Sequence, residues 1–258
     1  QSSPVRVALV TGTASGIGAA IMQAMCDAGH QVLAVDFSDE GAEVADKAGA
    51  AFFKADLTDA EQCRAAVEEA VSRFGRLDIL INNAGVALGG SFDEVSTENF
   101  DWLMSINFDA VVTMCRAFLP LLKQRLEARI VNISSLFGLI TPAGQTAYCA
   151  SKFAVRGFSN ALRLELLDSN VGVTVVHPGG VATSIATSAR SSENISEADK
   201  QKKLERAKRL LRMPPPKAAQ IILNGIERNK ARVLVGNDAR ILSWLERLMP
   251  VNYWRLLA

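Results

Sequence analysis

The chain is poor in the residues that crosslink a fold or hold a metal. Its four cysteines, Cys26, Cys63, Cys115 and Cys149, are widely scattered, and no CxxC or Cys/His spacing joins them. That argues against a disulfide framework and a zinc site, and fits reduced thiols in a cytoplasmic protein. Cys149 is read as a small helix residue. Histidine occurs twice, and His177, closing a strand-like run, is read as a satisfied structural group rather than a catalyst. No charge dominates: 28 basic against 27 acidic residues leave a net +1, which offers nothing to nucleic acid. There is no signal peptide and no uninterrupted apolar run long enough to span a bilayer. The first residue is Gln rather than Met, so the extreme N-terminus is expected to be trimmed or vector-derived.

What is present is a large apolar fraction, 49% of 258 residues, enough for a sizeable core. Val5 to Val10 is a near-continuous apolar run, as a parallel strand covered on both faces requires. It leads into Thr11-Gly12-Thr13-Ala14-Ser15-Gly16-Ile17-Gly18, and a helix-like run follows to Ala28. Such a glycine-rich strand-to-helix turn lets backbone N–H groups and the helix's positive end approach a pyrophosphate. The next strand, Gln31 to Asp36, ends in an acid 24 residues after Gly12. An acid there reaches the adenosine ribose hydroxyls and repels a 2′-phosphate. Phe37 follows it and Ser15 precedes Gly16, with no Arg or Lys at either place, so NAD is favoured over NADP. Ala51 to Lys54 reads as a third strand, followed by Asp56-Leu57 and by Asp59 as the start of a helix to Phe74. Leu77 to Ile81 is a fourth, closing on Asn82-Asn83-Ala84-Gly85, whose amides can bridge neighbouring strands. Thr97 to Leu126 is expected to be one helix bent near Pro120. Asn107, a poor helix former, lies inside it between Ile106 and Phe108.

The chemistry gathers between Ile130 and Lys152. Tyr148 and Lys152 are four residues apart on a helix-compatible run, so one helical face carries both. A neighbouring ammonium is expected to lower the phenol's pKa toward a range useful for proton transfer. Ser135 follows a strand-like run, Ile130 to Ile133, at the sheet edge where open α/β folds keep ligands. A further strand, Val173 to Val176, ends at His177-Pro178-Gly179-Gly180-Val181-Ala182-Thr183.

Taken together, TGTASGIG, Asp36, Asp56, NNAG, Asn107, Ser135, YCASK and PGGVAT follow one another in the order of a single-domain short-chain dehydrogenase/reductase, which the chain resembles from about Val5 to Val235. The resemblance implies an α/β Rossmann-type fold: one domain over 1–258, seven mostly parallel strands with helices on both faces, the last strand being Arg232 to Val235. It implies an NAD-dependent oxidoreductase that interconverts a secondary alcohol and its ketone. Tyr148 would be the general acid/base, Lys152 would tune it and hold the nicotinamide ribose, Ser135 would hold the substrate oxygen, and Asn107 would hold a relay water. Cofactor contacts would come from Gly12, Ser15, Gly16, Ile17, Gly18, Asp36, Phe37, Asp56, Leu57, Asn83, Ala84, Gly85, Pro178, Gly179, Val181 and Thr183. A homo-oligomer, tetramer or dimer, is expected as well.

Beyond the shared motifs, about 184–216 is expected to cover substrate and about 237–258 to form a tail. Lys200 to Arg212 is basic with leucines at 204, 210 and 211, and is read as a solvated lid helix stopped by Pro214-Pro215-Pro216. Ile241 to Ala258 is expected to pack over a substrate entrance or a neighbouring subunit, without stable membrane insertion. Val86, Leu88, Phe137, Leu139, Ile185 and Met213 are the apolar pocket candidates and suggest a hydrophobic substrate. A non-catalytic nucleotide-binding redox sensor or scaffold, and a peripheral-membrane dehydrogenase acting on a lipid-like substrate, are the alternative readings.

Overall fold

A computed structural model describes residues 4–186, 188–191, 205 and 209–256. Most of the expected basic helix at 200–212 therefore lies outside the described residues. Strands β1 (Val7–Thr11), β2 (Gln31–Asp36), β3 (Ala51–Lys54), β4 (Ile79–Asn82), β6 (Ala128–Ile133), β7 (Val171–Pro178) and β9 (Arg232–Val235) form one sheet, in the order β3-β2-β1-β4-β6-β7-β9. Every pairing is parallel. The order reverses between β1 and β4, the crevice where doubly wound sheets bind ligands. Two short strands, β5 (Leu88–Gly89) and β8 (Arg190–Ser191), pair separately and return the chain after β7 to the loop after β4.

The strands are buried and mainly apolar because both sheet faces are covered. Successive side chains point to opposite faces. Val7 and Leu9 therefore join one core with Leu80, Met114, Phe118, Ile130 and Val173. Ala8 and Val10 join the other, with Ile21, Met22, Ile81, Val131 and Ile222. Helices α1 (Gly16–Asp27), α2 (Glu40–Ala48) and α7 (Pro215–Glu227) cover the second core. The first lies under α3 (Ala60–Phe74), α5 (Ala110–Leu122) and α6 (Thr146–Glu165). Asp59 caps α3 as expected, its Oδ1 accepting from Glu61 N at 2.8 Å. The triple proline begins α7, with Pro214 at its N-cap.

The long helix corrects one expectation. It runs through α4 (Thr97–Met104) and α5, but the irregular turn is a π turn at Ser105–Asp109, not a bend at Pro120, which sits in the last turn of α5. Asn107 lies within that turn, 1% exposed, and its amide is tied to the main chain of Val86. At 26 residues Thr97–Leu122 is long and apolar enough to cross a membrane by length and composition. In this fold it buries Met114, Phe118 and Leu122 against the sheet. The last helix described is α8 (Asn237–Leu248), followed by a short turn at Tyr253–Leu256.

Candidate functional site

The carboxyl ends of β1, β2, β4, β6 and β7 bring most of the expected residues to one edge of the sheet. At β1 the glycine-rich turn is closed tightly on its neighbours. A Cβ on Gly18 would lie 2.0 Å from Gly12 O, and one on Gly12 would lie 2.8 Å from Ala84 Cα. Gly16 has φ +61° and faces the Thr183 methyl, where a Cβ would stand 3.2 Å away. Ser15 occupies the N-cap of α1 but its hydroxyl makes no capping bond, meeting Ser184 Oγ at 3.2 Å instead. Thr13 Oγ1 is buried with no hydrogen-bond partner among the described residues. A cradle without Cβ atoms, an uncapped helix start and an orphaned hydroxyl fit a phosphate-bearing ligand.

Asp36 closes β2 with its carboxylate half-buried. Oδ2 accepts from Ala14 N and Oδ1 from Ser38 N, each at 2.8 Å, which ties the acid to the glycine-rich turn. Phe37 beside it is exposed. Asp56 is spent on a turn, accepting from Thr58 N and Oγ1, with Leu57 half-buried next to it.

The NNAG amides do bridge strands. Asn82 Nδ2 donates to Asn132 Oδ1 of β6 at 2.9 Å, and Asn83 Nδ2 donates to Thr11 O and Gly12 O of β1. Thr11 Oγ1 accepts from Asn83 N and Ala84 N. The side-chain nitrogen of Asn83 is thus committed to the scaffold. Gly85 gives the room that follows, since a Cβ there would meet Asn107 Oδ1 at 3.2 Å and Lys152 Nζ at 3.3 Å.

Tyr148 and Lys152 lie on the inner face of α6, 9% and 3% exposed. Gly138 lets α6 approach β6, because a Cβ there would strike Ser134 Oγ at 2.3 Å. Ser134 Oγ in turn donates to Lys152 O at 2.8 Å. Lys152 Nζ donates to Ile133 O at 3.3 Å and stands 5.7 Å from the Tyr148 ring centroid. Burial pushes the ammonium's pKa down to about 8. Burial also raises the Tyr148 phenol above its ordinary value, against an opposing hydrogen bond from Ser135. This reverses the expected direction, because desolvation of the phenolate outweighs the Ser135 hydrogen bond that favours it. Ser135 Oγ accepts from Phe137 N at 3.1 Å, and His177 Nδ1 meets Ser135 O at 2.8 Å. His177 is fully buried and held neutral, its pKa pushed down to about 4 by burial, but it is not the satisfied group expected, since its Nε2 has no hydrogen-bond partner among the described residues. Cys149 is buried, and burial raises its thiol to about 11.

Asn107 reaches the site by an indirect route. Its Oδ1 accepts from Val86 N and its Nδ2 donates to Val86 O and Ser151 Oγ, so the whole amide is spent on the scaffold. Phe137 stacks edge-on against Tyr148 with centroids 6.0 Å apart. Leu88, Val86, Leu103, Phe100 and Trp102 complete that apolar wall. Leu139 is buried with Ile140 and Tyr253 in a second cluster, and Phe137 packs against both that cluster and the one that holds Tyr148. Ile185 lies half-buried in a short 3-10 turn, and Met213 pairs with Val181.

Sequence reasoning missed the acid that holds the Pro178–Thr183 loop. Asp238, in the first turn of α8, accepts from Gly180 N at 2.6 Å. Cβ atoms on Gly179 and Gly236 would each fall 2.3 Å from its carboxylate, so these glycines leave the space it fills. An acid directly after Gly236-Asn237 was the available signal, but its partner is 58 residues distant.

A glycine-rich turn at the switch point of a parallel sheet, with a phenol, an ammonium and a hydroxyl on the same sheet edge, is the arrangement of a nucleotide-dependent oxidoreductase of the doubly wound class. Residues 6–194 match the family model for short chain dehydrogenases, and the chain belongs to that family. It is similar to the oxidoreductase SadH of Mycobacterium tuberculosis, 36% identical over 261 residues that cover 98% of this chain and 94% of that one. The 3-ketodihydrosphingosine reductase of Bacteroides thetaiotaomicron is 37% identical over 192 residues, covering 74% and 68%. Among solved structures, a Burkholderia phymatum short chain dehydrogenase/reductase in complex with NAD superposes with a TM-score of 0.87. It is 24% identical, over 96% of this chain and 95% of that one.

Proposed function

We propose that this oxidoreductase interconverts a hydrophobic secondary alcohol and its ketone with NAD as the hydride carrier. The observation that carries the reading is the cluster of half-buried Ser135 with buried Tyr148 and Lys152 beside an apolar wall. NAD would supply the hydride acceptor and donor. Gly12, Gly16, Ile17, Gly18 and the start of α1 would hold its pyrophosphate, Asp36 the adenosine ribose, and Pro178, Gly179, Val181 and Thr183 the carboxamide end. Asp36 with exposed Phe37 beside it gives a 2′-phosphate repulsion and no cation, which favours NAD over NADP.

Ser135 Oγ would hold the substrate oxygen where negative charge develops. The raised pKa of Tyr148 makes its phenol a ready proton donor in the reductive direction near neutral pH. In the oxidative direction the same phenol must first lose its proton, so alcohol oxidation should strengthen toward alkaline pH. Asn107 would hold its relay water through its main chain, since its amide is fully engaged. The wall of Val86, Leu88 and Phe137 supports an apolar substrate, and the Bacteroides relative is named for a ketone. The intact cluster speaks against a non-catalytic sensor, which has no use for a buried phenol–ammonium pair.

The test is a panel of secondary alcohols and ketones with NAD(H) and NADP(H), followed by nicotinamide absorbance. Turnover is expected with apolar substrates and NAD. Tyr148→Phe should lower kcat by about two to four orders of magnitude, the span of general acid–base catalysis, while NADH binding is retained. Asp36→Ala should shift preference toward NADP. Full activity in Tyr148→Phe, or an unchanged cofactor preference in Asp36→Ala, would refute the respective assignment.

A further inference from the structure

Helix α8 has two apolar faces where a surface helix needs one. Its inner face, Ala239, Leu242 and Leu245, packs with Tyr253 against Leu139, Ile140 and Leu234. Its outer face presents Ile241, Trp244 and Leu248, spaced by three and four residues, at 64%, 64% and 74% exposure. The turn that follows adds Val251 and Trp254, both exposed. Exposed apolar residues elsewhere, such as Phe37, Phe92 and Leu126, stand singly and call for no partner.

Cations border this stripe. Arg240, Arg247 and Arg255 are exposed along it, with Arg255 5.5 Å from the Trp254 ring. Of the acids on α8, Asp238 is turned inward onto Gly180 and Glu246 lines a cavity behind the helix. That cavity, about 250 Å³, is lined by Leu139, Arg156, Arg232, Ser243, Glu246 and Arg247, three guanidiniums against one carboxylate. Among the described residues none of the three forms an ion pair. Arg232 is held below its ordinary pKa by burial and by Arg156 and Arg247, a mutual repulsion that a bound anion would relieve.

We propose that the outer face of α8 and the turn after it rest on an anionic lipid surface, with a lipid phosphate received by Arg156, Arg232 and Arg247 behind the helix. Tryptophan, leucine and arginine on one helical face suit the boundary between acyl chains and headgroups. Arginine also matches phosphate geometry with paired N–H donors. A second copy of the chain fits less well, because this stripe is bordered by Arg240, Arg247 and Arg255 while Asp238 and Glu246 are turned away from it, so a self-contact brings cations to cations. The seat lies next to the chemistry. Tyr253 Oη bonds both Thr141 N and Thr141 Oγ1 at 2.7 Å, joining the tail to the segment that begins at Ser135.

Flotation of the full chain with phosphatidylcholine vesicles, with and without phosphatidylglycerol, tests the proposal. Binding is expected only with phosphatidylglycerol, accompanied by a blue shift of tryptophan emission. Trp244→Ser/Leu248→Ser should weaken it about tenfold or more through lost apolar insertion. Arg247→Ala should weaken it about fivefold, the effect of one charge near an anionic surface. Equal binding to both vesicle types, no binding by the wild-type chain, or undiminished binding by the double variant overturns the proposal. So does inorganic phosphate raising Tm while wild-type flotation is absent, which marks a free-anion site. A fall in solution mass of the double variant without vesicle binding by wild type assigns the face to a second copy and overturns it equally. The wild-type comparison of the two vesicle types stands even where a variant misfolds.

Discussion

Lys152 illustrates the tension of placing a charge inside a sheet protein. Its pKa falls from 10.5 to about 8 on burial, so between those values the unfolded chain binds a proton that the folded chain does not. Stability attributable to this group therefore rises with pH through the window from about 8 to 10.5, and the full penalty is present below it. Lys152→Met is expected to stabilise the cofactor-free protein at pH 7 by up to about 3 kcal/mol, an advantage that shrinks as the pH rises from 8. Urea unfolding of both proteins across that range checks it. A difference that does not vary with pH would show that the ammonium is not desolvated. The same variant should lose turnover, so stability and function pull in opposite directions at this position.

At the scale of elements, the loop after β7 is tied to α8, which supplies the acid that accepts from Gly180 N. Asp238→Ala leaves Gly180 N–H unpaired, at a cost of about 1–3 kcal/mol. Under the proposed cofactor site it should raise the KM for NAD more than the KM for alcohol, and Asp238→Asn, which keeps an acceptor oxygen, should recover part of the loss. Equal changes in both KM values would mark a purely structural clamp. This contact also shows where sequence stops being legible. Strand ends, the glycine-rich turn, Tyr148 and Lys152 were readable because each depends on spacing within a few residues. The Asp238 clamp and the Tyr253–Thr141 bond join residues 58 and 112 apart, and no local pattern encodes such a pair. Asn107 was half legible: a poor helix former among apolar neighbours marked an irregularity. Its form, a π turn anchored on Val86, depended on a loop 21 residues away.

For the whole molecule, the crevice is assembled from β1, β2, β4 and β7, so a dinucleotide bound there would contact strands from the centre of the sheet outward. A ligand of the native state alone stabilises by mass action, about 2.7 kcal/mol at a hundredfold excess over Kd. For a chain of this size that is a Tm increase of roughly 5–10 °C. NADH should produce it and NADPH should produce much less; equal shifts would contradict the cofactor preference assigned to Asp36.

The position of β1 has a consequence for how the chain is made. β1 lies inside the sheet, yet its two neighbours are made at different times: β2 ends at Asp36, whereas β4 begins only at Ile79. At ribosomal speeds of about 5–20 residues per second, its second edge stays bare for seconds after β2 has emerged. During that interval a strand reading VALVT offers an unpaired apolar edge to any other nascent chain. Exposure to aggregation during synthesis thus depends on how soon this interior strand gains its second neighbour.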